Sequence, residues 1–180
     1  MSIVFKLSQD PRLLQQYYQL REQCFREELG LPDFDGSEDD QDRQAHILIA
    51  IEDGHCIGGA RISSRLPLLV RGRLCELDLA PGANCMWERA ELDPTVRTAQ
   101  LFQDFCAHLI ETSRMLGYQH ALVLSTLRIS RFYRQCHSAM GVGFQIHRHV
   151  PECAQAEFAS LEHYLSVAHL QDLQPLRIAA

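Results

Sequence analysis

The chain has 180 residues, 46% hydrophobic and 22% charged, enough for one domain with a core of its own. Its net charge of −6 tells against a nucleic-acid binder. No apolar run approaches the ~20 residues of a membrane span. Met1–Asp10 lacks the basic start and apolar stretch of a signal peptide, so a cytoplasmic location is expected.

Seven cysteines are odd in number and never spaced C-x-x-C, which predicts reduced, buried thiols and no metal site. Charge is unevenly spread. Residues 1–60 hold 12 acidic and 5 basic side chains, whereas residues 61–134 hold 7 and 10. All but one of the 17 basic residues are arginine, the side chain suited to bidentate contact with phosphates and carboxylates.

In chain order, Leu13, Tyr17, Leu20 and Cys24 recur at helical spacing, predicting a helix over 11–29 that Gly30 and Pro32 stop. Arg21 lies four residues from both Tyr17 and Phe25 and so edges into the buried stripe. Residues 33–43, DFDGSEDDQDR, form a loop with six carboxylates. A hairpin follows, turning at Asp53 and Gly54 and carrying Arg61 on its second strand. Residues 67–84 are expected to be an irregular connection.

Residues 86–92 predict a strand whose period places Met86, Glu88, Ala90 and Leu92 on one face. Asp93 and Pro94 then suggest an N-cap and a first-turn proline for a helix over 94–116, closed by Gly117. Arg97 would lie in that helix's opening turn, where the dipole favours an anion rather than a cation. A strand at 120–125, a helix at 127–140 and strands at 141–149 and 162–170 complete the pattern. Strands alternate with helices between paired strands, so one α/β domain over 1–180 with a mixed central sheet flanked by helices is expected.

This order, together with ERAELDPTVR, resembles the GNAT acyltransferase superfamily. There the turn after the strand reads R/Q-x-x-G-x-G/A and its backbone N–H groups cradle the pyrophosphate of coenzyme A. Arg97 matches, but Gln100 and Phe102 stand where both glycines belong. The chain is also similar to the acyl-homoserine-lactone synthases and the long-chain N-acyl amino acid synthases. Arg21 and Phe25 match an R-x-x-x-F pair, Asp39 and Asp42 a D-x-x-D, Arg61 a strand arginine, and Glu88 the glutamate of an E-x-x-R segment. Leu31 replaces a tryptophan of the lactone synthases, and Glu91 replaces the arginine of E-x-x-R.

The resemblance implies acyl transfer from acyl carrier protein or a long-chain acyl-coenzyme A to a small amine, with no permanently bound cofactor. The missing glycines point away from acetyl-coenzyme A. Leu31 and Glu91 point away from S-adenosylmethionine and toward an amino acid or another small amine as acceptor. Arg97, Arg128, Arg131 and Arg134 are the expected contacts for an acidic carrier.

Chemically, an amine attacking a thioester must first lose a proton. Glu88, flanked on its face by Met86, Ala90 and Leu92, is the expected base, directly or through water. Strand N–H groups near Arg89 and Ala90 would hold the oxyanion. Arg97 and Thr98 open the donor-binding turn, and Tyr133 resembles the superfamily tyrosine that protonates the leaving thiolate. Arg21, Phe25, Asp39, Asp42 and Arg61 would form the acceptor pocket. An ion-pair network that orders the acidic loop is an equal reading of Arg21, Asp39, Asp42 and Arg61, and Asp40 could replace either aspartate.

His147 and His149 share a strand face without a third ligand. Cys136 and His137 are helix neighbours whose side chains diverge. Gly141 and Gly143 read as a turn. The alternatives are an acetyl-coenzyme A-dependent N-acetyltransferase and a catalytically idle GNAT-like binding domain.

Overall fold

A computed structural model describes residues 2–79, 82–149, 158 and 161–171. The elements are β1 (Val4–Leu7), α1 (Pro11–Glu28), β2 (His46–Glu52), β3 (His55–Ser63), α2 (Leu68–Arg73), β4 (Asn84–Leu92), α3 (Ala99–Met115), β5 (His120–Ser125), α4 (Leu127–Ala139), β6 (Gly143–His149) and β7 (Tyr164–His169), with a 3-10 turn at Asp42–Gln44. The strands form a seven-stranded sheet in the order β1-β2-β3-β4-β5-β7-β6. β1–β2, β2–β3, β5–β7 and β6–β7 pair antiparallel. β4 and β5 are sheet neighbours joined through α3, the crossover that parallel strands need, so the sheet is mixed as expected.

The chain divides into two compact units, residues 1–65 with 87–105 and residues 66–86 with 106–180. In the first, Asp10 caps α1 by accepting from the Arg12 N–H at 2.9 Å, and Pro11 occupies the first helical position. The helix buries Leu13, Tyr17, Arg21, Cys24 and Phe25. Leu13 and Tyr17 pack with Ile47 and Ile49 of β2. The β2–β3 hairpin turns through Asp53 and Gly54, both at positive φ (48° and 83°), the geometry of a two-residue primed turn. Gly59 of β3 leaves room for α1: a Cβ there would lie 2.8 Å from the Tyr17 ring.

In the second unit, Leu66, Val70, Leu74, Leu79, Met86, Leu122, Leu165 and Val167 form one apolar cluster. Thr126 caps α4 by accepting from the Ile129 N–H. On α4 the Tyr133 ring stacks on Phe144 at 5.9 Å and 12°.

Several expected bounds are corrected. α3 begins at Ala99, not Pro94. Asp93 instead closes a tight turn, its carboxylate accepting from both the N–H (2.8 Å) and the hydroxyl (2.7 Å) of Thr95. The helix cap is Thr98, whose hydroxyl accepts from Leu101 N–H at 3.1 Å. Arg97 therefore precedes the helix and does not sit in its first turn. The strand β1 carries no alternation of its own, its side chains being mostly exposed, and went unpredicted. The connection expected to be irregular contains α2, held by the burial of Val70 and Leu74.

Candidate functional site

Among the described residues the expected site side chains of the first unit fall into three groups. The deepest is an ion network. Arg21 and Arg61 are 1% and 0% exposed, and the Asp42 side chain is fully buried between them. Arg21 donates through Nε to the Gly36 carbonyl (3.0 Å), through Nη2 to the Gly36 and Ser37 carbonyls (2.7 and 2.6 Å), and through Nη1 and Nη2 to Asp42 (3.1 and 2.9 Å). Arg61 donates through Nη1 to both Asp39 oxygens (2.9 Å each) and to Asp42 (3.0 Å), through Nη2 to Gln41 (3.0 Å), and through Nε to Glu88 (3.0 Å).

Two cations at this depth survive because every fork is matched by carboxylate or carbonyl oxygen. Burial alone would push the Arg61 guanidinium down, but Glu88, Asp42 and Asp39 together outweigh it and raise it. Burial pulls the Asp39 carboxyl up, yet the Asp42 N–H and Arg61 hold it below its usual range. This geometry favours the loop-ordering reading of Arg21, Asp42 and Arg61 over direct substrate contact, because their hydrogen-bonding groups are turned inward. Asp40 stays outside the network; it is exposed and pairs with Arg43.

The second group surrounds Arg89. This residue sits at φ 53°, a left-handed conformation uncommon for a side chain larger than glycine, in the middle of β4. Its guanidinium lies over the rings of Phe34 (4.9 Å) and Phe25 (5.8 Å), which pack on each other at 4.6 Å. Phe25 thus forms part of a shelf beneath Arg89. The buried Tyr17 hydroxyl donates to the Arg89 carbonyl at 2.7 Å. A trans peptide is planar, so fixing this carbonyl also fixes the Ala90 N–H, which points the opposite way. That N–H belongs to the pair expected to face an oxyanion. Tyr17 had been visible in the sequence only as a core position.

The third group is at the end of β4. Arg97 forms a bidentate pair with Glu28 of α1, both bonds at 2.7 Å, and donates to the Leu92 carbonyl through Nε at 3.1 Å and Nη2 at 2.5 Å. The pair holds the Glu28 carboxyl below its ordinary value. Thr98, Ala99 and Gln100 are exposed, and Gln100 bonds Asp104 at 2.9 Å. Glu91 is half-buried beside this pair, and burial pushes its carboxyl up to about 8; Arg97 opposes the rise and Glu28 adds to it. Desolvation therefore makes the Glu91 carboxyl more basic than usual, whereas Glu88 lies against a guanidinium. Sequence spacing had marked Glu91 only as a departure from E-x-x-R.

In the second unit, Tyr133 is 3% exposed and lies in an aromatic stack with Phe144. Its carbonyl contacts His137 Nδ1 at 2.8 Å, and burial pushes the His137 imidazole down to about 4. Arg128, Arg131 and Arg134 are exposed at three-residue intervals on α4. Among the described residues no group of three His, Cys, Asp or Glu side chains could hold a metal ion. The His149 side chain and Cys153 lie outside the described residues.

No family model and no curated protein matches the sequence. Solved structures do. The AHL synthase LasI superposes with a TM-score of 0.65 at 16% identity, covering 93% of this chain and 89% of that one. A CoA-dependent acyl-homoserine lactone synthase, BjaI, solved with SAM and isopentyl-CoA, gives 0.63 at 18% identity over 89% and 77%. An acyl-CoA N-acyltransferase from Pseudomonas aeruginosa gives 0.59 at 16% identity over 93% and 99%. The fold is that shared by the GNAT acyltransferases and the acyl-homoserine lactone synthases.

Proposed function

We propose that the protein is an N-acyltransferase that moves an acyl chain from a thioester to the amine of a small molecule such as an amino acid. One observation carries the reading: on this fold, the Arg89–Ala90 peptide is held out of regular strand geometry by Tyr17, leaving the Ala90 N–H in a fixed direction. A preset N–H donor is what a thioester oxygen needs as it gains charge, and it costs no reorganisation at the moment of attack.

The donor would meet the turn at Arg97 and Thr98 and the exposed start of α3, where unpaired N–H groups favour a phosphate. A phosphate reaching Arg97 would share its fork with Glu28. Without glycines at Gln100 and Phe102 the backbone offers less room for a pyrophosphate, which favours acyl carrier protein, or a long-chain acyl-coenzyme A, over acetyl-coenzyme A. The exposed Arg128, Arg131 and Arg134 suit an acidic carrier. Glu88, oriented by Arg61 Nε, would take a proton from the amine directly or through one water.

Purified protein offered acyl carrier protein and coenzyme A thioesters of graded chain length, with a panel of amino acids and amines, tests this by thiol release and mass spectrometry of the products. Transfer of long chains to an amine is the expected result, without turnover of S-adenosylmethionine. Fast acetyl transfer from acetyl-coenzyme A would replace the donor assignment. Thioester binding with no transfer to any amine would leave the idle-domain alternative.

A further inference from the structure

β4 carries two carboxyls, Glu88 and Glu91. Three residues apart on a regular strand, they would face opposite sides. The left-handed Arg89 between them breaks that alternation, and both meet the side of α1. Glu88 reaches it through Arg61, Asp42 and Arg21. Glu91 lies beside Cys24 and Glu28. Arg21, Cys24 and Glu28 sit at i, i+3 and i+7 on one helical face.

The two carboxyls have opposite surroundings. Glu88 accepts from a buried guanidinium. Around Glu91 the titratable and charged groups are Cys24 and Glu28 of α1 and Arg97 of the following turn. Arg97 is already committed to Glu28 and the Leu92 carbonyl. Cys24 is neutral, its thiol pushed up to about 12 by burial. Among the described residues no hydrogen bond or salt bridge reaches the Glu91 carboxyl. Glu28 and Arg97 cancel each other, so an ionised Glu91 leaves one uncompensated negative charge in a half-buried place. A monocation would balance it. Glu91 also follows Ala90 directly, within one side chain's reach of the peptide N–H described above.

We propose that Glu91 receives the acceptor's ammonium group and takes its proton, a role that rests on the acyl-transfer reading. The ammonium loses one proton to the Glu91 carboxylate and becomes a neutral amine. Its nitrogen then bonds to the thioester carbon as the carbon–sulfur bond breaks, and the second proton leaves nitrogen through the Glu88 carboxylate, directly or by one water, for the departing thiolate. The products are the amide, the thiol and a protonated Glu91, which returns its proton to solvent. Two carboxyls in contrasting environments divide their work in this way in other acid–base sites. A carboxyl that titrates near 8 exchanges protons readily at working pH, which supports the assignment.

The test compares two kinds of acceptor in wild type and Glu91→Gln: an aliphatic amino acid, which carries an ammonium at pH 7, and methoxyamine, which is neutral there. Glu91→Gln is expected to lose about 10²-fold in kcat/KM for the amino acid and less than about 3-fold for methoxyamine. Wild type alone gives a second readout, independent of how the variant folds. Its kcat/KM for the amino acid, corrected for the ammonium fraction, should rise through an enzyme titration near pH 8 that is absent with methoxyamine. Equal losses on both amines, or no loss on either, would overturn the role of Glu91 while wild-type transfer keeps the acyltransferase reading. Absence of transfer by wild type to every amine would overturn that reading and this inference with it.

Discussion

Truncating Arg21 to alanine separates an anchoring role from a substrate-binding one. The side chain is 1% exposed and makes hydrogen bonds to Gly36, Ser37 and Asp42. Its removal leaves two loop carbonyls without their donor and half of a buried carboxylate pairing undone. Breaking a buried pair by removing one partner costs about 3–5 kcal/mol. Proteins of ordinary stability have ~5–15 kcal/mol in total, so Arg21→Ala is expected to be severely destabilised. With a urea dependence of about 2 kcal/mol per M, the unfolding midpoint should fall by roughly 1.5–2.5 M. Arg21→Lys should recover only part of this, because an ammonium cannot present the planar fork that spans Gly36 and Asp42. Equilibrium urea unfolding followed by circular dichroism reads the loss, and kinetics at 10 °C read the residual activity. A midpoint within about 0.5 M of wild type, with KM for the acceptor raised and all else unchanged, would refute the anchoring account.

Glu88→Gln keeps the Arg61 contact but cannot take a proton, so a loss of about 10²–10⁴ in turnover with little change in unfolding is expected; unchanged turnover would make Glu88 structural. Glu91 has a folded value of about 8 against an ordinary 4.5, so the folded state holds the extra proton between those values and stability falls as pH rises through that window. Glu91→Gln should therefore be more stable than wild type at pH 9 and nearly equal at pH 4, as thermal melts across pH would show. Reversing Arg128, Arg131 and Arg134 to glutamate should weaken an acyl carrier protein and flatten its salt dependence while sparing coenzyme A thioesters, measured as KM at 50 and ~300 mM salt.

Most of the fold was legible because its periods are plain: α1 and the hairpin follow from where Leu13, Tyr17 and Cys24 recur and from Asp53 and Gly54 at the turn. The start of α3 was misplaced because Asp93 and Pro94 look like a helix opening while the carboxylate in fact serves Thr95. The member residues of the ion network were visible, since arginines inside an apolar stripe need carboxylates. Their mutual pairing was not, because it depends on the loop folding back between α1 and β3. The place of Glu91 beside α1 was hidden for a related reason. Period two predicts one buried carboxyl per face, and a single left-handed residue invalidates the count. Glu28, exposed at the last position of α1, gave no signal of its bond to Arg97, 69 positions away.

If the Arg89–Ala90 peptide serves acyl transfer as proposed, the conformation of Arg89 makes stability and activity pull against each other at one position. A non-glycine residue at positive φ costs about 1–3 kcal/mol, and glycine would relieve that strain. A screen for thermostability would thus tend to reward Arg89→Gly. The same change would strip the guanidinium from the Phe25–Phe34 shelf and loosen the peptide that Tyr17 holds. Laboratory selection for heat resistance alone would be drawn toward a sturdier protein with a blunter site, and a library meant to improve both should keep this codon fixed.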